Sequence, residues 1–223
     1  MEGCLERYRR ELEFYRAAAT AIEQRCRDLL SENGIRAIVS SRPKDPESLR
    51  RKLSQRAPDR GYTTVEEALA DIVDLAGVRI ALYFPSEIES VERIISENFT
   101  LRGSKVFPRD STRKKLASYD YRFAGYCARH YRLAFRDALV EVQVASLLMH
   151  AWSEVEHDLG YKPVTGELSL DELEVLDEIN GVVMAAEIAL GRLQRAVEQR
   201  VGSEDQPFRN HFELASFLHE HTR

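Results

Sequence analysis

From Val140 to Ser146 apolar and polar residues alternate, the pattern of a half-buried strand. The alternation sets Glu141 and Gln143 together on the face opposite Val140, Val142 and Val144. The residues from Ser146 to Leu159 read as a helix that returns His150, Glu154 and His157 along one side. A carboxylate and an amide feeding a helix rich in acid and imidazole are costly to bury unless a ligand or cation answers them.

Other residues could share that chemistry. Arg42 and Lys44 stand just ahead of Asp45-Pro46, an N-cap followed by proline at the first helical position. Ser48 and Lys52 follow at i and i+4, on one face of that helix. Cations, a hydroxyl and the free amides of a helix start suit a polyphosphate, although a solvated basic helix explains the same composition. Asp74 precedes Gly77 and a strand; it serves either as a helix-end cap or as an oxygen ligand for a hard cation. Arg79 is either a surface ion pair or a guanidinium able to stack on a flat base. Period two places Tyr126, Ala128 and His130 on one strand face, with the small alanine leaving room for a planar ligand; cross-strand packing is the alternative. Cys127 points to the other face and is no nucleophile candidate.

These residues need a scaffold. Leu5, Tyr8, Leu12, Tyr15, Ala19, Ile22, Cys26 and Leu29 recur in steps of three and four, an amphipathic helix stopped by Asn33-Gly34. A short strand over Ile35–Ser40, a helix from Asp45 to about Arg56, a loop with Pro58 and Gly61 and a helix from Thr64 to about Leu75 follow. Val78–Phe84 reads as a strand, Pro85–Asn98 as a covering helix and Phe99–Pro108 as a further strand. Arg109–Asp120 is a basic loop carrying Arg113, Lys114 and Lys115. Tyr126–Phe135 and Ala138–Ala145 form an antiparallel pair about an Arg136-Asp137 turn. Ser169-Leu170-Asp171-Glu172 is a capping box opening a helix to about Val201, with a seam at Leu176, Ile179, Val183, Ala186, Leu190, Leu193 and Val197. The fold class is α+β: a mixed, mainly antiparallel sheet of about five strands between long N- and C-terminal helices. Residues 1–34 are a helix packed on the core, 35–162 the core and 163–223 a helical extension. The terminal seams predict packing on each other within the chain, and also allow a homo-oligomer.

Composition excludes several classes. The 223 residues carry a net charge of -5, against indiscriminate nucleic-acid binding. Apolar runs are too short for a membrane span, and the charged N-terminus lacks a signal peptide's apolar core. Cys4, Cys26 and Cys127 are odd in number and scattered, which favours reduced thiols in the cytoplasm. Nothing matches a Walker, GxGxxG, GxSxG or zinc pattern. His157-Asp158 lacks the further histidines and aspartates of a phosphohydrolase.

Three blocks, in order, resemble the RelA/SpoT-type alarmone synthetases over about Ile35 to Lys162: Arg42-Pro43-Lys44 with Ser48 and Lys52; Asp74 to Arg79; and Gly125-Tyr126 with His130, closed by Glu141 and Gln143. The resemblance implies a small synthetase of nucleotidyltransferase-like fold that moves the β,γ-pyrophosphate of ATP to the ribose 3′-hydroxyl of GDP or GTP. It implies that Asp74 and Glu141 are catalytic and hold magnesium, and that Arg42, Lys44, Ser48, Lys52 and Arg79 bind ATP. It assigns Arg122, Tyr126, His130, Gln143, His150 and Glu156 to the acceptor nucleotide. Two positions depart from the pattern: Ala124 replaces an asparagine and Ala145 an arginine, both on the acceptor side. Alternatives keep the transfer but move it to an adenine nucleotide or a tRNA 3′ end, or keep only a nucleotide-binding or assembly role.

Overall fold

The computed structural model of the protein describes residues 2–108, 115–116, 119–161, 168–202, 208 and 210–221. Helix α1 (Glu2–Glu32) leads through the predicted stop at Asn33-Gly34 into strand β1 (Ala37–Pro43). Helix α2 (Pro46–Arg60) is capped by Asp45, whose carboxylate accepts from the Ser48 amide at 2.9 Å. It runs through Pro58, expected in a loop, and ends at Gly61 (φ 60), whose amide closes onto Ala57. Proline fits helical φ but has no amide to bond the Ser54 carbonyl, so the last turn of α2 forgoes one helical hydrogen bond there. Helix α3 (Val65–Asp71) is four residues shorter than the helix expected to reach Leu75, because Ile72 turns extended and buries its side chain. Asp74 therefore lies in the turn before strand β2 (Ala76–Leu82), not on a helix.

A 3-10 turn (Pro85–Glu87), helix α4 (Ile88–Asn98) and strand β3 (Leu101–Phe107) follow. Strands β4 (Lys115–Leu116) and β5 (Tyr119–Asp120) form a small separate ribbon. Of the basic loop, Arg109, Arg113 and Lys114 lie outside the described residues. Strands β6 (Ala128–Phe135) and β7 (Ala138–Ser146) make the predicted hairpin, with Arg136 in a left-handed conformation (φ 51). Helices α5 (Leu147–Tyr161), α6 (Leu170–Gly202) and α7 (His211–His221) complete the described chain.

The main sheet has five strands in the order β1-β2-β7-β6-β3, antiparallel except for the parallel pair β2 and β7. One face is apolar: Val39, Val78, Ile80, Tyr131, Leu133, Val140, Val142 and Val144 are buried beneath α1 and α4. Each such aliphatic side chain contributes about 2 kcal/mol on full burial, which fixes the register. The opposite face is polar. Across it the register aligns Ser40, Arg79, Gln143, His130 and Lys105 in one row, one from each strand.

The terminal helices behave differently from each other. Helix α1 packs on the sheet and on α2, α3 and α4, whereas α6 packs on α5, α7 and the 3-10 turn. The predicted seam of α6 is rotated. Leu173, Leu176, Asp177 and Asn180 are buried, while Ile179 and Leu193 are 41% and 56% exposed. Among the described residues, no helix is long and apolar enough to cross a membrane.

Candidate active site

The polar face of the sheet, α2 and α5 enclose a cleft of about 1030 Å³, at the upper end of the range for small-molecule sites. Strands β2 and β7 run parallel with Gly77 opposite Glu141, so their N-terminal ends share one edge. Asp74, just ahead of β2, thereby comes to the same cleft as Glu141, and both line it.

At one end of the cleft Asp74 is flanked by cations. Its two carboxylate oxygens take Lys44 Nζ at 2.6 Å and Lys52 Nζ at 2.7 Å. Burial pushes the Asp74 carboxyl up, but the two ammonium groups outweigh it and hold the group below its ordinary range. Arg42 and Ser48 line the same end. The junction is fixed from beneath by α1: the buried Tyr8 hydroxyl donates to the carbonyl of Lys44 at 2.6 Å, with the Leu75 carbonyl at 3.2 Å. Sequence periodicity marked Tyr8 only as part of an apolar seam; its contact partners are far away in the chain.

Toward the other end, Glu141 is 8% exposed. Gln143 Nε2 donates to its Oε2 at 3.0 Å, and His130 Nδ1 stands 3.7 Å from its Oε1. Burial raises the Glu141 carboxyl, but His130 and Gln143 prevail, so it stays ionised below the usual carboxylate range. Tyr126 lies ahead of β6 rather than on it, yet its hydroxyl is 3.2 Å from His130 Nε2. Phe107 closes the group, its ring centroid 4.6 Å from that of His130. Arg79 contacts Gln143 Oε1 at 3.4 Å and pairs with Glu154 of α5. Glu156 lines the cleft. His150 lies buried behind it, its Nε2 3.2 Å from the Ile80 carbonyl; burial lowers its pKa to about 4, which keeps the imidazole neutral.

Of the thirteen residues assigned to the site from sequence, ten line this cleft, Lys52 bonds the lining Asp74, and the His150 ring centroid stands 6.5 Å from that of the lining Tyr126. The exception is Arg122, whose guanidinium turns to α6, with Nε 3.2 Å from Asp177 Oδ2 and further pairing to Glu174 and Glu178. Cys127 does not alternate away from Tyr126 as expected, since residues 124–127 precede the strand and Gly125 (φ 77) turns the chain. It packs with Tyr126 against Ala128, Ala145, Met149 and Trp152. Ala145, one of the two departures from the motif, is fully buried in that cluster, and Ala124 is exposed.

A magnesium ion asks for hard oxygen ligands and retains waters or phosphate oxygens in the rest of its shell. Two carboxylates facing one cleft, close enough that the charge of Asp74 bears on Glu141, fit that requirement.

The family described as "Region found in RelA / SpoT proteins" matches residues 41–165. The GTP pyrophosphokinase YwaC of Bacillus subtilis is 28% identical over 196 residues, 80% of this chain and 88% of that protein. The GTP pyrophosphokinase YjbM of the same organism is 28% identical over 148 residues, 57% of this chain and 66% of that protein. The crystal structure of small alarmone synthetase 1 from Bacillus subtilis, bound to its product pppGpp, shares the fold with a TM-score of 0.68 at 19% identity, covering 86% of this chain and 98% of that one. With the family region spanning more than half of its residues, the chain belongs to the RelA/SpoT family.

Proposed function

We propose that the protein is a GTP pyrophosphokinase that makes (p)ppGpp, moving the β,γ-pyrophosphate of ATP to the 3′-hydroxyl of GDP or GTP. The observation that carries this reading is the convergence of Asp74 and Glu141 in one cleft, with a cation cluster at one end and an aromatic-imidazole group at the other. The names of the two pyrophosphokinase relatives and the pppGpp held by the structural relative support it.

Arg42, Lys44, Ser48 and Lys52 hold the ATP phosphates, and Arg79 stacks on the adenine. Tyr126 stacks on the acceptor base; His130 and Gln143 orient its ribose and phosphates, with Glu156 on the facing wall. Arg122 acts on the acceptor through the segment 119–125, which it ties to α6, and His150 through the wall at Ile80 behind the cleft. The acceptor 3′ oxygen bonds to the β-phosphorus, the bond from that phosphorus to the α-bridging oxygen breaks, and AMP leaves. Glu141, ionised and buried, takes the hydroxyl proton. Asp74 and Glu141 would hold magnesium, which would supply charge neutralisation for the phosphates. Most of the remaining work is alignment of two anionic substrates.

Residues 35–162 form the catalytic core in this reading, with helical supports on either side. The free thiols Cys4, Cys26 and Cys127 support a cytoplasmic setting. A homo-oligomer would use α6, where Val175, Ile179 and Val182 are exposed, rather than α1, whose apolar face is already covered.

The test is incubation with magnesium, ATP and each of GDP, GTP, ADP and bulk tRNA, with products resolved by mass spectrometry. AMP release matched by a pyrophosphorylated guanine nucleotide is expected, and Glu141→Gln should abolish it while ATP still binds. Undiminished turnover in that variant removes Glu141 from the mechanism. Pyrophosphorylation of ADP or tRNA alone would move the acceptor.

A further inference from the structure

Residues 119–125 form a strap that delivers Tyr126 to the cleft, and its hydrogen bonds lead away from the cleft to α6. Asp177, fully buried, accepts from the backbone amides of Arg122 at 2.7 Å and Phe123 at 3.1 Å, and from the Tyr119 hydroxyl at 3.0 Å. One turn along, Asn180, 1% exposed, accepts from the Gly125 amide at 3.1 Å through Oδ1. Its Nδ2 is buried and finds no partner among the described residues, so the side chain is used for its oxygen. The Phe123 ring meets the helix at Gly181 by its edge, where a Cβ would stand 2.4 Å from Cζ. Trp152 of α5 adds a brace: its indole donates to the Leu176 carbonyl at 3.4 Å and its ring lies against Gly125.

These contacts are specific. Three consecutive features of α6, at positions 177, 180 and 181, fit the amides and the ring of one seven-residue strap. A helix that merely filled a core would bury apolar groups at those positions instead of two polar side chains aimed at backbone donors. All three positions lie beyond the segment that matches the family, residues 41–165. The carboxylate of Asp177 stays ionised even though burial opposes it, because the strap amides offset that burial.

We infer that Asp177 and Asn180 are positioning residues for the acceptor nucleotide, holding the strap so that Tyr126 and, through it, His130 present a preformed acceptor half-site. The inference rests on the reading that Tyr126 receives the acceptor. The donor end shares none of these contacts, so the effect of loosening the strap is confined to one substrate. A displacement of the receiving ring on the order of an ångström is enough to change rates or affinities tenfold or more.

The experiment is steady-state kinetics of pyrophosphate transfer for the wild type, Asn180→Ala, Asn180→Asp, Gly181→Ala and Tyr126→Ala, with hydrogen exchange at the Gly125 amide. Asn180→Ala should raise the acceptor KM by roughly tenfold with the ATP KM within twofold, and should lose protection at Gly125. Asn180→Asp, which keeps the accepting oxygen, should recover most of that loss. Gly181→Ala removes no hydrogen bond and should reproduce the selective KM increase by pushing Phe123 off the helix. The two KM values rising together, or an unchanged acceptor KM beside a tenfold effect of Tyr126→Ala, would overturn the positioning role alone. An unchanged acceptor KM in Tyr126→Ala would overturn the underlying assignment of the acceptor, and the positioning role with it.

Discussion

The two ends of the cleft are held in opposite ways. At the donor end, Lys44, Lys52 and Asp74 come from neighbouring elements, and their ion pairs span 22 to 30 residues of chain. At the acceptor end, the strap before Tyr126 hangs from a helix some 55 residues further on. The end proposed for the donor keeps its geometry through charge pairs that a bound triphosphate would rearrange. The end proposed for the acceptor keeps its geometry through hydrogen bonds to Asp177 and Asn180, which are not among the residues lining the cleft. On the proposed reading, donor affinity would be tuned in the site itself and acceptor affinity from outside it.

That contrast can be tested in order of expected effect. The largest belongs to Glu141, which stands between the ends: Glu141→Gln should lower kcat at least about 100-fold and move neither KM far. Unequal movement of the two KM values would show that Glu141 belongs to one end. Next is Lys52→Met, which removes one cation facing Asp74. It should raise the ATP KM by roughly tenfold and leave the acceptor KM unmoved; an equal rise in both would dissolve the distinction between the ends.

The smallest effect is in stability. Burial depresses the pKa of folded His150 to about 4 against an ordinary value of 6.5, so the unfolded chain takes up the proton first. The stabilisation is present above pH 6.5 and is lost as pH falls toward 4. His150→Gln, which can still donate to the Ile80 carbonyl, should flatten the fall of Tm across that window. A slope unchanged by the substitution would assign the loss to other groups.

The helix start that carries Ser48 and Lys52 was legible in sequence because its signals are local. Asp45-Pro46 announces the helix start, and i, i+4 spacing then fixes Ser48 and Lys52. Strand alternation put Glu141 and Gln143 on one face, and they are bonded there. The parallel pairing of β2 with β7, which brings Asp74 to Glu141, joins segments more than sixty residues apart and leaves no local mark. Asp177 and Asn180 were invisible for a related reason. On a helix with an apolar repeat, an aspartate or asparagine reads as a solvated position, and only the distant strap amides make it a buried one. Arg122 carried the right charge for a nucleotide, but local sequence could not reveal the acids of α6 that take it.

Asp74, with one lysine on each carboxylate oxygen, makes the resting donor site its own counterion. An arriving anion competes with that carboxylate by mass action. Two oxygens of one phosphate group lie at about the spacing of a carboxylate's, so a phosphate bound here would take both ammonium groups and displace the carboxylate. Phosphate affinity at this end is thus set against the two ion pairs that Asp74 makes. Its signature is an inversion: in EDTA, Asp74→Asn should bind both ATP and inorganic phosphate more tightly than the wild type, although the variant should transfer nothing.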